Sequence, residues 1–132
     1  MAIAASISSR IAAAALLAMA ATCAAAAQGT TTDIRPYDDK LLRLSEILGA
    51  VHYLRELCGA NDGQLWRDRM RELMDTEGST ALRRAKLTRS FNNGYRSYSR
   101  TYSSCSSSAQ TAINRFLAEG ADIADNLVKT AP

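Results

Sequence analysis

Proline is absent between Pro36 and Pro132, histidine occurs once, at His52, and no Cys-x-x-Cys pair exists. Without proline, nothing interrupts a helix over that stretch. One histidine and dispersed cysteines leave no spacing for a metal centre, so neither a metal nor another cofactor is expected. No alternating run of β-branched residues appears, which argues against strands. A Gly-rich phosphate loop, a nucleophile elbow and a paired-carboxylate motif are all missing. The chain's 132 residues rule out a multidomain enzyme, a large cofactor fold and a polytopic membrane protein.

Acidic residues are missing over residues 1–32 and again from Gly78 to Ala118. In the first gap Arg10 is the only charge, and Ile11–Ala21 is an unbroken apolar run. That run is well short of the ~20 residues that cross a hydrocarbon core. A basic start, a short apolar run and small residues after it describe a secretory signal. We read residues 1–27 as signal peptide, with cleavage after Ala25-Ala26-Ala27, residues 28–37 as an exposed leader and residues 38–132 as a helical domain. A retained membrane anchor is one alternative. A lipoprotein through Cys23 is another, weakened because Ala20-Ala21-Thr22 lack the upstream Leu and the adjacent Gly or Ala of such sites.

Cleavage after Ala27 removes Cys23 and leaves Cys58 and Cys105, an even pair in an oxidising compartment. The alternatives are two buried reduced thiols or, more remotely, a metal site. A bridge would close a loop of about 48 residues, worth at most about 4 kcal/mol by chain entropy. For a core built from about 100 residues, that is a large share of the stability.

From Asp38 onward the apolar spacing is helical. Leu41, Leu44, Ile47, Leu48, Val51, Leu54 and Cys58 form one stripe, Asp38 or Asp39 can cap it, and Gly59 stands where a terminating glycine belongs. Asn61-Asp62-Gly63 is a turn into a second helix over Gln64–Glu77, with Leu65, Trp66, Met70, Leu73 and Met74 apolar. Ser79 or Thr80 caps a third over Ala81–Ser103. Ser106–Ser108 caps a fourth over Ala109–Val128, whose apolar side includes Phe116, Leu117, Gly120, Leu127 and Val128. Short connections make consecutive helices antiparallel. The expected fold is all-α, a small antiparallel bundle of about four helices stapled by one disulfide.

The third helix has two faces. At 100° per residue, with Arg89 at 0°, Arg96 and Arg100 fall within about 20° of it and Lys86 at about 60°. Leu87, Phe91, Tyr95, Tyr98 and Tyr102 fall between about 160° and 240°. Two readings follow. Either the cations are a solvated face paired with acids of the first half, or Arg89, Arg96 and Arg100 bind an anionic surface: lipid headgroup, cell-wall carboxylate or acidic protein. Nucleic acid is disfavoured by the compartment and by a formal net charge of only +3. Asn92-Asn93-Gly94 in mid-helix is a weak point, marking either a kink or the close approach of another helix.

His52 lies at the edge of the first apolar stripe, with Ser45 and Glu56 on the same helix, but no triad follows from that. Arg67, Arg69 and Arg71 alternate and share no helix face. With Asp68, Glu72 and Asp75 near them, local ion pairs are their expected use.

Four segments carry a resemblance: LSEILGAVHYLRELCG (Leu44–Gly59), WRDRMRELM (Trp66–Met74), FNNGYRSYSRTYSSC (Phe91–Cys105) and INRFLAEGADIADNL (Ile113–Leu127). They resemble a family of small exported alphaproteobacterial proteins of unknown function with two well-separated cysteines. The resemblance implies a periplasmic setting and a bridge between Cys58 and Cys105. It supplies no catalytic residue, and the Ala-rich signal is not part of it.

The function expected is that of a non-enzymatic periplasmic protein binding another envelope component, whether protein, anionic lipid or cell-wall material. Peripheral membrane contact fits this reading. The alternative is a small enzyme or enzyme accessory acting on cell-wall material with His52 near its site. The processing reading is checked by intact mass under non-reducing conditions. Exported protein should weigh residues 28–132 less two protons. A species retaining Met1, or native protein that takes a thiol label on both Cys58 and Cys105, would overturn it.

Overall fold

A computed structural model describes residues 33–130. The signal segment 1–27 with its Cys23, and residues 28–32 of the leader, lie outside the described residues. Four α-helices make up the fold, and no strand occurs among the described residues: α1 Asp38–Leu57, α2 Leu65–Glu77, α3 Ala81–Thr101 and α4 Ser107–Thr130. This is the all-α, four-helix arrangement that the periodicity implies.

The helix ends follow from local chemistry. Thr80 Oγ1 accepts from the Arg83 backbone N–H at 3.1 Å and Ser106 Oγ accepts from that of Ala109 at 3.1 Å, starting α3 and α4. Gly59 and Gly63 take φ of 72° and 54°, the left-handed region open to glycine, and so turn the chain between α1 and α2. In that turn Asp62 accepts from Arg55 Nε and Nη2 at 2.7 and 2.9 Å and from Trp66 Nε1 at 2.9 Å. These donors hold its carboxyl down at about 2. The start of α1 departs from expectation. Tyr37 occupies the cap position without a side-chain bond, and Asp38, inside the first turn, accepts from the Arg35 backbone N–H. The leader's end is not wholly exposed either. Ile34 and Pro36 are open to solvent, but Tyr37 is buried and Arg35 pairs with Glu77 at 2.9 Å.

The bundle is not four helices around a shared axis. α1 is central, and α2, α3 and α4 each pack on it. Its sequence shows one apolar stripe, yet Ser45, Gly49 and His52 are buried as well as Leu41, Ile47, Val51 and Leu54. The extra buried face meets α3. A Cβ on Gly49 would collide with the Phe91 carbonyl, and one on Gly94 with the Glu46 carbonyl. The two glycines thus let backbone lie against backbone, and the mid-helix Gly94 marks a close approach. Ser90 Oγ donates to the Leu42 carbonyl at 2.7 Å across the same interface. Gly120 does a milder version of this on α4, where a Cβ would stand 3.3 Å from Ile47 Cγ2.

The core falls into two clusters. Ile47, Val51, Leu54, Ala109, Ile113 and Phe116 form one, toward the C-terminal end of α1, with the Tyr98 ring edge-on to Phe116 at 4.9 Å. Cys58 and Cys105 are bridged beside it, their Cα atoms 4.8 Å apart and 47 positions apart in sequence. Tyr37, Leu41, Met70, Leu87, Phe91 and Leu127 form the other, at the opposite end. α3 and α4 meet only through side chains, without close backbone approach, and α2 and α4 have no close backbone approach either.

Gly94→Ala should be destabilising by about 1–3 kcal/mol, the cost of overpacking, although alanine is the better helix former. Chemical denaturation measures it. A variant as stable as the parent would show that α1 and α3 can part at no cost.

Candidate binding surface

Arg89, Arg96 and Arg100 are all exposed on α3, on the side away from α1. None of the three guanidinium groups has a hydrogen bond or an ion pair among the described residues. They sit within the long acid-free stretch, so no carboxylate on their own helix reaches them.

Of the other cations of that stretch, exposed Lys86 and Arg115 also lack an ion pair among the described residues, whereas Arg83 and Arg84 are engaged. Arg83 is buried, with 7% of its surface exposed. Its Nε donates to the Glu77 carbonyl at 2.8 Å, and its Nη1 donates to the Asp33 carbonyl and to Asp38 Oδ2, each at 2.9 Å. The Asp38 Oδ1 lies 2.8 Å from the same Nη1. One guanidinium therefore joins the leader, α1, the end of α2 and the start of α3. Arg84 donates to the Met74 carbonyl at 3.0 Å and lies 3.6 Å from Asp75. The paired-face reading thus describes Arg83 and Arg84 but not Arg89, Arg96 or Arg100. Arg83 is a residue that sequence reasoning missed. Its angle was the available signal: it falls at about 120° from Arg89, between the cation and aromatic arcs.

The aromatic arc is only partly core. Leu87 and Phe91 are buried, but Tyr95, Tyr98 and Tyr102 are half-buried. Tyr98 and Tyr102 stack on each other at 6.2 Å, and the Tyr102 carbonyl accepts from the Tyr53 hydroxyl. Tyrosine at such a boundary keeps its ring packed and its hydroxyl near water.

His52 is 6% exposed, its ring 6.2 Å from that of Phe91 and 5.7 Å from that of Tyr95. Its Nε2 accepts from Arg67 Nε at 3.0 Å, so Arg67 serves His52 rather than a local acid. Burial and then the Arg67 charge push the imidazole pKa below its usual value, against a smaller opposing effect of Glu56. Arg69 and Arg71 do pair locally, with Glu72 at 2.9 Å and Asp68 at 2.8 Å. Ser45 is spent on its own helix, donating to the Leu41 carbonyl at 2.9 Å.

Because α2 and α4 make no close backbone approach, the side of α1 between them stays open. Leu44 and Leu48, read as core, are half-buried there, and Leu117 and Val128 of α4 are exposed, Val128 at 84%. With Trp66 and Leu73 of α2 they line an apolar groove of about 510 Å³. The periodicity correctly marked these residues as one side of each helix. It could not say that the fourth wall is missing.

No group of three or more metal-ligating side chains occurs among the described residues, and no described helix is long and apolar enough to cross a membrane. The molecule is thus a small, disulfide-tied helical protein organised about one central helix, with a free arginine strip on one flank. The chain belongs to the family described as protein of unknown function DUF2385, which matches residues 36–130. No curated protein and no solved structure matches it.

Since the folded pKa of His52 is depressed, the unfolded chain binds the proton first, and stability falls as pH drops through about 6.5. The Asp33, Asp62 and Glu119 carboxyls lie below their usual range and stay ionised above pH ~5. Denaturation curves at pH 8 and 5.5 should therefore show a loss in the parent that His52→Gln lacks. Equal losses in both would mean that His52 is not held neutral by its surroundings.

Proposed function

We propose that the mature chain is an exported, periplasmic, non-enzymatic protein that binds an anionic component of the cell envelope through α3. The observation that carries this reading is the strip of Arg89, Arg96 and Arg100, exposed and unpaired on the face opposite the packed side of the helix. Most other surface arginines among the described residues are engaged: Arg35, Arg43, Arg55, Arg69 and Arg71 each have a carboxylate within 2.9 Å. Three unengaged guanidinium groups in line are a feature that stability does not need. The periplasmic setting rests on the signal-like N-terminus and on a disulfide of the kind that oxidising compartments maintain. An alphaproteobacterial source is part of the same proposal and rests on the resemblance alone.

The surroundings of His52 speak for binding over catalysis. The ring packs against Phe91 and Tyr95, and its recorded hydrogen bond comes from a cation, Arg67. A general base needs a partner that accepts or orients its proton, and the arginine offers neither.

Replacing Arg89, Arg96 and Arg100 together by Gln should leave folding within about 0.5 kcal/mol, as for other surface changes. Sedimentation with vesicles containing phosphatidylglycerol should weaken sharply. Salt should mimic the mutation, since exposed charges are screened over about 8–10 Å. Unchanged binding of the triple variant at low and moderate salt would reduce the strip to solvation.

A further inference from the structure

We propose that the middle of α3 carries a binding site for a phosphate monoester, built from Asn92 and Asn93 with Arg89 and Arg96 on either side. The inference rests on the anion-binding reading of α3 and goes further by naming a discrete site and its ligand chemistry.

Asn92-Asn93-Gly94 was the anomaly of the helix. Gly94 is accounted for by the approach of α1, where its missing Cβ makes room for the Glu46 carbonyl. The two asparagines are not. Both are exposed, and neither side-chain amide has a hydrogen bond among the described residues. Asparagine is a poor helix former because its amide competes for backbone groups. Two in succession in the exposed middle of a helix are a cost that packing does not return.

Their surroundings suggest what returns it. Arg89 stands one turn before the pair and Arg96 one turn after it, so all four share a stripe of α3. Thr88 and Arg84 extend that stripe, and Met74 of α2 forms a side of the resulting cavity of about 550 Å³. Arg84 is tied to α2 through the Met74 carbonyl at 3.0 Å. No carboxylate lines the cavity. The donors are two free guanidinium groups and two amide NH2 groups. A dianionic tetrahedral group with three terminal oxygens can use both cations and both amides at once. A carboxylate can bridge two guanidinium groups, as Glu77 does between Arg35 and Arg83, but it balances only one of the two charges and has fewer acceptor sites left for the amides. Arg100 lies outside this cavity and belongs only to the wider strip. The phosphate can be carried by a lipid headgroup or by a soluble or glycan-borne ester.

The test uses the exported protein with its Cys58–Cys105 bridge intact. Titration with glycerol 3-phosphate at constant ionic strength, followed by NMR, should shift the Asn92 and Asn93 side-chain amide signals to saturation. Acetate should bind far more weakly. The variant Asn92→Ala/Asn93→Ala keeps every charge and has the better helix formers. It should bind glycerol 3-phosphate about tenfold more weakly, from the loss of two hydrogen bonds, while still sedimenting with phosphatidylglycerol vesicles. Vesicles containing phosphatidic acid, a monoester, separate the sources. Preference for them over phosphatidylglycerol supports the site and puts the phosphate on lipid. Saturable glycerol 3-phosphate binding without that preference supports the site and puts it on a soluble or glycan ester. No saturable shift, acetate binding equally well, or the double asparagine variant binding like the parent would overturn the site. If that happens while the triple arginine variant still loses phosphatidylglycerol vesicles, the strip is a diffuse electrostatic surface and the broader reading survives. If the triple variant also binds unchanged, both fall.

Discussion

The backbone contact between α1 and α3, made at Gly49 against Phe91 and at Gly94 against Glu46, is the constraint on which the arrangement depends. Each glycine faces a backbone carbonyl of the other helix, so neither can carry a side chain without forcing the pair apart. Helix axes usually lie 8–10 Å apart, set by the side chains at the crossing. Removing those side chains brings the two helices to the near end of that range or inside it. The Ser90–Leu42 hydrogen bond and the burial of Ser45 and His52 occur on the same face of α1. Because α3 takes this face, the leucine and isoleucine side of α1 is left for α2 and α4. Those two shorter interfaces do not close around it, and the groove between them follows.

The two ends of the bundle are tied by different chemistry. At one end the Cys58–Cys105 bridge joins the end of α1 to the loop before α4. At the other the Arg83 guanidinium gathers the Asp33 and Glu77 carbonyls and the Asp38 carboxylate. A buried guanidinium is tolerable only when its donors are used, because desolvation of an unpaired charge costs several kcal/mol. The arrangement makes the last residues of the leader part of the fold, with Tyr37 in the core beside Leu41 and Leu127. A domain of about 100 residues has few apolar side chains to spare. One covalent and one ionic tie at opposite ends add to the two small clusters between them.

The proposed function uses side chains that the ties and clusters leave free. The aromatic side of α3 is committed to α1 and α4 through Phe91, Tyr95 and Tyr98. Its opposite side keeps Arg89, Arg96 and Arg100 free. Since α3 is fixed by backbone contact with α1, that strip is presented on a rigid element, as the proposed recognition of a shaped anion requires. His52 is withdrawn from such work by its packing and by Arg67.

The sequence by itself determined the class, the four helices to within a few residues, the pairing of Cys58 with Cys105, and the opposed faces of α3. These are legible because helical periodicity, capping residues and the parity of cysteines are local or countable properties. Gly94 was visible as an anomaly, a kink or a close approach, and the structure decided for close approach and supplied its partner. Only the tertiary structure decided that α1 is central and buried on two sides, and that Arg83 turns inward while Arg89 stays out. It also decided that Leu44, Leu48, Leu117 and Val128 line a groove instead of filling a core. Periodicity reports which residues share a side of a helix. Whether another helix comes to cover that side depends on how closely backbones can pack, and here two glycines far apart in the chain decide it.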